Sequence, residues 1–199
     1  MLHPWSLVFG PLRGPTLGMN GRPACALDGW REGFRLLEAH ALPIAAPPAR
    51  ALEALAETRI SEMPIVNALF TLRGLGVPAE RTLRAAFSTT PFTIVEEEPG
   101  REFVFGVMLP PRGRSARDVC ASPTAFREAL AAAPLGVVAN FRAEPREGGS
   151  LLWTETWART RGTGPALAFG AYWLLIGPFS AWIRRIFLRT ARRRAERAA

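Results

Sequence analysis

The sequence predicts an α+β domain in which antiparallel strands precede one long C-terminal helix. Three observations predict it. Two stretches read as β-hairpins, one about Pro99-Gly100 and one about residues 146–149, and two short helical segments follow the first strand. Residues 164–197 then read as a single closing helix. Runs of strands with the helices segregated from them argue for α+β rather than an alternating parallel sheet.

Residues 1–33 are rich in Gly and Pro and show no period, so they read as an irregular tail, with Met19 a second candidate start. From 34 to 44, FRLLEAHALPI alternates partly and reads as the first strand. Pro48 heads ARALEALAE, and because a first-turn residue has no use for its N–H, a helix is expected at 48–57. EMPIVNALFTLRGLG reads as a second short helix ending at Gly74 or Gly76, and VPAERTLRAAFSTTP as an irregular crossing.

FTIVEEE and REFVFGVML flank Pro99-Gly100, a standard turn pair. Folding about that turn puts Phe92, Ile94, Phe103, Phe105 and Val107 on one face, with Thr93, Glu97 and Glu102 on the other. Glu96, Glu97 and Glu98 read as a solvated edge. PPRGRSARD is a loop, and Ser122 as N-cap with Pro123 behind it starts a short helix. In the second hairpin GVVANFRAEP pairs with GSLLWTETWART. Counting outward sets Asn140 opposite Glu155 and Arg142 opposite Trp153, with Phe141, Leu152, Thr154 and Thr156 on the other face. A slip of one residue would exchange the faces.

The last helix changes character along its length. Its first twenty residues carry no charge, and the fourteen that follow carry seven Arg against one Glu. At about 100° per residue, Phe169, Tyr172, Trp173, Ile176, Phe179, Ile183 and Phe187 share a stripe, with Arg185, Arg189 and Arg192 opposite. The far side of the first half is apolar too, through Leu167, Ala171, Leu174 and Leu175, so that half needs a second partner. The candidates are the sheet itself, an apolar ligand, another subunit or a bilayer. Twenty uncharged residues meet the length of a membrane span and the Arg cluster would suit a cytoplasmic flank. Gly and Pro dilute the segment, so packing over the sheet is the expectation, with a surface-lying membrane helix as the alternative. Pro178, which lacks an N–H, is expected to kink the helix.

A chain of 199 residues with 48 % hydrophobic content suits one domain. The net charge of +8 resembles a nucleic-acid footprint until it is located, because residues 184–197 supply +6 of it (seven Arg minus one Glu) and the body is nearly neutral. No base-stacking or groove-entering motif accompanies the Arg, so nucleic acid is not an expected partner. A helix C-terminus favours cations in any case. All 25 basic residues are Arg, which suggests a high-GC genome. Cys25 and Cys120 stand alone, far in sequence from His3 and His40, so neither a metal site, a disulfide framework nor a cofactor is expected. The start is a poor signal peptide, being broken by Pro4, Pro11 and Pro15, and a cytoplasmic protein is expected.

The order of motifs resembles the SRPBCC superfamily, the START-like or Bet v 1-like helix-grip proteins, and within it the bacterial polyketide cyclase/dehydrase-like family. IAAPPARALEAL, EEEPGREFVFG, VANFRAEP, GGSLLWTETWART and YWLLIGPFSAWIRRIFLRTARRRAE carry the resemblance, over residues 34–196. It implies a curved antiparallel sheet gripping the C-terminal helix, with a cavity between them for lipids, polyketides or other hydrophobic small molecules. It implies no particular reaction. The first half of the last helix carries less charge here than such proteins usually do.

Within that frame the expected ligand contacts are Tyr172, Trp173, Ile176 and Phe179 from the helix and Phe103, Phe105 and Phe141 from the sheet. Apolar walls with one or two polar groups are the usual form of a small-molecule site. Asn140 and Glu155 are the expected polar pair, able to orient a hydroxyl or carbonyl, and a cross-strand hydrogen bond on the outer face is the plainer alternative. His40 is a candidate acid or base that more simply reads as a strand residue. No Ser, His and acid constellation is assembled, so binding without catalysis is expected. The alternatives are a polyketide cyclase or dehydratase using Tyr172, Asn140 and Glu155, and a protein that meets a membrane surface or forms a homodimer through its last helix, Trp153 and Trp157.

Overall fold

The computed structural model describes residues 24–72, 74 and 76–197, which leaves Met19 and most of the expected tail outside the described residues. Five antiparallel strands form one open sheet in the order β1-β5-β4-β3-β2, with β1 at Arg35–Ile44, β2 at Thr93–Glu98, β3 at Glu102–Leu109, β4 at Leu135–Arg146 and β5 at Gly149–Thr160. Two short helices, α1 (Pro48–Ala56) and α2 (Pro64–Leu72), follow β1, and the chain closes on α6 (Thr163–Arg197). This is the α+β helix-grip arrangement expected from the sequence.

Three further helices lie between these elements. α3 (Leu83–Phe87) and α4 (Ala116–Val119) occupy stretches expected to be irregular, and α5 (Pro123–Leu130) lies where Ser122 and Pro123 set it. Each is capped locally. The Thr82 hydroxyl accepts from the Ala85 N–H at 3.3 Å, Ser115 from Asp118 at 3.2 Å, and Ser122 from Ala125 at 3.1 Å. Single-turn helices of four or five residues carry too little periodicity to announce themselves, but their caps were present in the sequence.

The second hairpin has the expected register, with Arg142 opposite Trp153 and Ala139 opposite Thr156. The first is altered by a bulge at Val95, after which Glu96 faces Val104 and Glu97 faces Phe103. One extra residue exchanges the faces of everything beyond it. Glu97, expected beside Glu102, is therefore on the Phe103 face, where its carboxylate accepts from Arg84 of α3 at 2.7 and 3.0 Å. Glu96 turns the other way and accepts from the Trp30 indole at 2.6 Å, and Glu96 and Glu97 both remain exposed at the edge, as expected.

A matching irregularity in β1 falls at Leu37, since Leu36 pairs with Trp157 but Glu38 with Thr156. The bulge explains why this strand alternated only partly. It also turns Glu38 and His40 toward α6.

Both faces of the sheet are covered. On one face α1, α2, α3 and the second half of α6 bury Leu55, Ile60, Phe87, Phe103, Phe141 and Phe187 in the main core. Phe87 stacks on Phe105 at 4.0 Å between ring centres, Phe105 lies parallel to Phe141 at 5.8 Å, and Phe187 meets Phe141 edge-on at 5.9 Å. Such ring pairs stabilise by about 0.5–1.5 kcal/mol beyond their buried area.

On the other face a second core gathers Leu27, Trp30, Phe34, Val104, Phe126, Val138 and Trp157. Residues 24–33, expected to belong to the loose tail, contribute a 3-10 turn at Ala26–Gly29 and bury Leu27 and Trp30 against the sheet. The correction has a simple cause. Half of an open sheet must be covered by something, and the apolar residues of this segment are too sparse to show a period.

The two halves of α6 differ. Every buried residue of this helix lies between Ala181 and Ala195, where it packs on α1 and the sheet. Ahead of that, Leu167 is 71 % exposed and Leu175 69 %, and only 11 % of the most apolar stretch is buried. By length and composition alone α6 is apolar enough to cross a membrane.

Candidate functional site

A cavity of about 340 Å³ lies between the sheet and α6, centred on the helix's first half. Strands β3 and β4 supply Phe105, Val107, Leu109, Leu135, Val137 and Ala139, and α6 supplies Phe169, Tyr172, Trp173, Ile176, Ile183 and Phe187. Phe70, Phe87 and Phe92 close a third side. Side chains at alternate strand positions and at three- and four-residue helical steps meet across this space because both periodicities present one apolar face inward.

Four of the expected contacts, Tyr172, Trp173, Ile176 and Phe105, line the cavity together. Phe103 and Phe141 face the same side but lie fully buried in the ring stack beside it, outside the lining. Phe179 does not join them and is 41 % exposed. The helical turn gives the reason, since Phe179 sits about 80° from the line through Phe169, Ile176 and Phe187. Ser180 takes its place in the wall.

Asn140 and Glu155 lie on the opposite face and are not part of the cavity. The Asn140 amide donates to Glu102 at 2.6 Å, its carbonyl oxygen accepts from the Glu155 N–H at 2.9 Å, and the Trp157 indole donates to the Glu155 carboxylate at 2.8 Å. The second Glu102 oxygen accepts from the Ala26 N–H at 2.9 Å. The expected pairing was right and its surroundings were not, because the segment at 24–34 covers this face. Arg142 and Trp153, expected as a surface contact, are likewise buried, with the guanidinium 5.4 Å from the ring centre and paired with Glu144.

The polar groups at the cavity come from elsewhere. Thr156, Ser180 and Arg184 stand in its wall, and Glu38 and His40 lie behind them. One Glu38 oxygen accepts from the Ser180 hydroxyl at 2.7 Å and from Thr156 at 3.3 Å, and the other is 3.2 Å from His40 Nε2. Arg184 donates to Thr154 at 3.2 Å and Thr156 at 3.1 Å, with its Nε 3.9 Å from Glu38. Phe105 and Phe141 flank the guanidinium at 5.2 and 5.1 Å.

Burial is the largest influence on Glu38 and opposes its ionisation, but the His40 hydrogen bond, the Arg184 charge and the Ser180 hydroxyl outweigh it and hold the carboxyl below its ordinary value. Burial pulls Arg184 down while Glu38 raises it, and a guanidinium stays charged throughout. The result is a buried ion pair at the wall of the cavity. Cys120, held at 3.4 Å from the Pro91 carbonyl, is pushed up by burial and stays a thiol.

A signal for this cluster existed in the sequence. Arg184 falls within about 20° of Trp173 on the helical wheel, a lone cation on an apolar stripe. Glu38 was hidden by the bulge, which regular alternation does not foresee.

No family model matches the chain, and no curated protein matches it. Solved structures of similar shape include a protein from Mesorhizobium loti, 15 % identical, covering 83 % of this chain and 99 % of its own with a TM-score of 0.40. An uncharacterized protein from Rhizobium leguminosarum is 10 % identical over 82 % of this chain and 95 % of its own, with a TM-score of 0.38. A protein from Chromobacterium violaceum is 12 % identical over 79 % and 96 %, with a TM-score of 0.35. Likeness at this level says nothing of function.

Proposed function

We propose that the protein is an SRPBCC-like helix-grip protein that binds an apolar small molecule, lipid or polyketide in kind, between the sheet and the first half of α6. The observation that carries this reading is the cavity itself, about 340 Å³ in volume and lined by aromatic and aliphatic side chains except at Thr156, Ser180 and Arg184. Volumes of 300–1,000 Å³ with few polar groups are usual for small-molecule sites. Burying apolar ligand surface would drive binding at roughly 25 cal/mol per Å². The cyclase or dehydratase alternative relied on Asn140 and Glu155 beside Tyr172. With those two on the other face, binding without catalysis is the better reading.

Native mass spectrometry of protein purified without detergent tests it. A discrete adduct is expected on the wild type and absent from Val107→Trp, whose indole would fill the cavity from the half-buried centre of β3. A bare wild-type mass, before and after incubation with a lipid extract, would count against the reading.

A second reading rests on a separate observation. Leu167, Leu174, Leu175, Phe179 and Trp182 are exposed along the outer side of α6, a larger apolar display than scattered surface residues make. Arg185, Arg189 and Arg192 continue the same helix. Apolar insertion beside cationic residues supports peripheral contact with an anionic membrane surface, from which a lipid ligand would be drawn.

A further inference from the structure

The cavity's one polar end is built to offer hydrogen-bond donors. The Ser180 and Thr156 hydroxyls both donate to Glu38, and Thr154 donates to the Asn140 carbonyl at 2.6 Å. Their hydrogens are thus committed behind the wall. Of the three polar wall residues, Thr156, Ser180 and Arg184, the arginine alone keeps donors uncommitted, its guanidinium carrying five N–H donors and no acceptor. One donor on each terminal nitrogen goes to a threonine hydroxyl.

The arrangement of Glu38 is also informative. A purely structural ion pair would bring the carboxylate into fork contact with the guanidinium, which is the strong geometry. Here the closest approach is 3.9 Å, beyond a hydrogen bond, and hydroxyls and His40 satisfy the carboxylate instead. Glu38 compensates the charge from behind and leaves Nε–H and the second N–H of each terminal nitrogen without a carboxylate partner. Phe105 and Phe141 beside the guanidinium keep water from it and reduce screening.

Resting on the proposed cavity function, we infer that Arg184 receives the acidic end of the ligand, so that the site selects amphipathic carboxylates with the apolar tail directed toward Trp173 and Phe169. A terminal ammonium would meet the Arg184 charge, with only the Ser180 and Thr156 hydroxyl oxygens as acceptors. An alcohol would accept one N–H and leave the rest unused. A carboxylate accepts two in parallel, and its tail meets the apolar remainder of the wall.

Isothermal titration with decanoate, decanol and decylamine tests the assignment on the full chain. Decanoate is expected to bind about tenfold or more tighter than decanol, as a charge-assisted hydrogen-bond pair would give, and decylamine weakest. Arg184→Met alone leaves Glu38 buried without its countercharge and risks misfolding, so the decisive variant is the double Glu38→Gln with Arg184→Met, its folding checked by circular dichroism. In it the ratio of decanoate to decanol affinity is expected to collapse to about one. Arg184→Lys, which keeps charge but loses the fork, is expected to fall between. Equal binding of decanoate and decanol to the wild type, or a preference that survives in the double variant, would overturn the assignment while leaving the cavity reading intact. Failure of all three ligands to bind would overturn both.

Discussion

On the face of the sheet away from α6, both Glu102 oxygens accept hydrogen bonds, from Asn140 and from the Ala26 N–H, and Trp30 and Phe126 close over the region. On the α6 face the Glu38 side chain is 9 % exposed, and its partners Ser180, Thr156 and Arg184 border an open volume. The two carboxylates sit on the same sheet, only a few strands apart. One network ties the covering segment down, and the other forms a wall. Burial of a charged group therefore does not distinguish a site from a core; what lies beyond its partners does.

Removing Asn140 should strain that contrast most. Asn140→Ala deletes a donor to a buried carboxylate and the acceptor for the Glu155 N–H. Unsatisfied buried groups cost about 1–3 kcal/mol each and more when charged, so a loss of about 3 kcal/mol is expected in urea unfolding. Ligand affinity should stay within about twofold because the residue is across the sheet from the cavity. A large affinity change would mean the two faces communicate.

The sequence made the sheet readable and the site only partly so. Hairpin turns at Pro99-Gly100 and at 147–148 set strand pairs whose alternation could be counted directly, and the 3.6-residue stripe of α6 brought Trp173 and Ile176 to the cavity. Two things escaped. Bulges at Leu37 and Val95 exchange faces without any mark in composition, so Glu38 was not foreseen under α6. Which face of the sheet holds a cavity depends on what covers the other, and that was settled by Leu27 and Trp30, from a segment without pattern. Asn140 and Glu155 were thus paired rightly, and of the two placements expected for them the cross-strand hydrogen bond away from α6 is the one observed.

A smaller effect is expected from acid. Because Glu38 is held below its ordinary value of 4.5, the unfolded chain takes up this proton first as pH falls. Its contribution to stability is therefore full above about 4.5 and is lost as pH drops through the lowered native value. The groups facing it are His40 on β1, Thr156 on β5, and Ser180 and Arg184 on α6. Ser180→Ala removes one hydrogen bond to the charged form, at a cost of about 1 kcal/mol. It should shift the acid midpoint of unfolding upward. An unshifted midpoint would show that Ser180 contributes nothing to holding the carboxylate ionised.

The finest division runs along α6 itself. Leu174→Ser with Leu175→Ser changes side chains that are 53 % and 69 % exposed, so stability should move by only about 0.5 kcal/mol per site. If the outer side of this half meets a bilayer, the same pair should weaken sedimentation with vesicles of mixed neutral and anionic lipid several-fold, and added salt should weaken it further by screening Arg185, Arg189 and Arg192. Vesicle binding insensitive to both changes would remove the membrane reading. A stability loss of several kcal/mol would mean instead that the leucines are covered in solution by a second copy of the chain, which the concentration dependence of unfolding would reveal. The comparison matters for the cavity as well, because Phe169, Trp173 and Ile176 line it from the same turns whose other side carries Leu174 and Leu175. A helix apolar on both sides can hold a ligand on one and a bilayer on the other, and the serine pair acts on the second without touching the first.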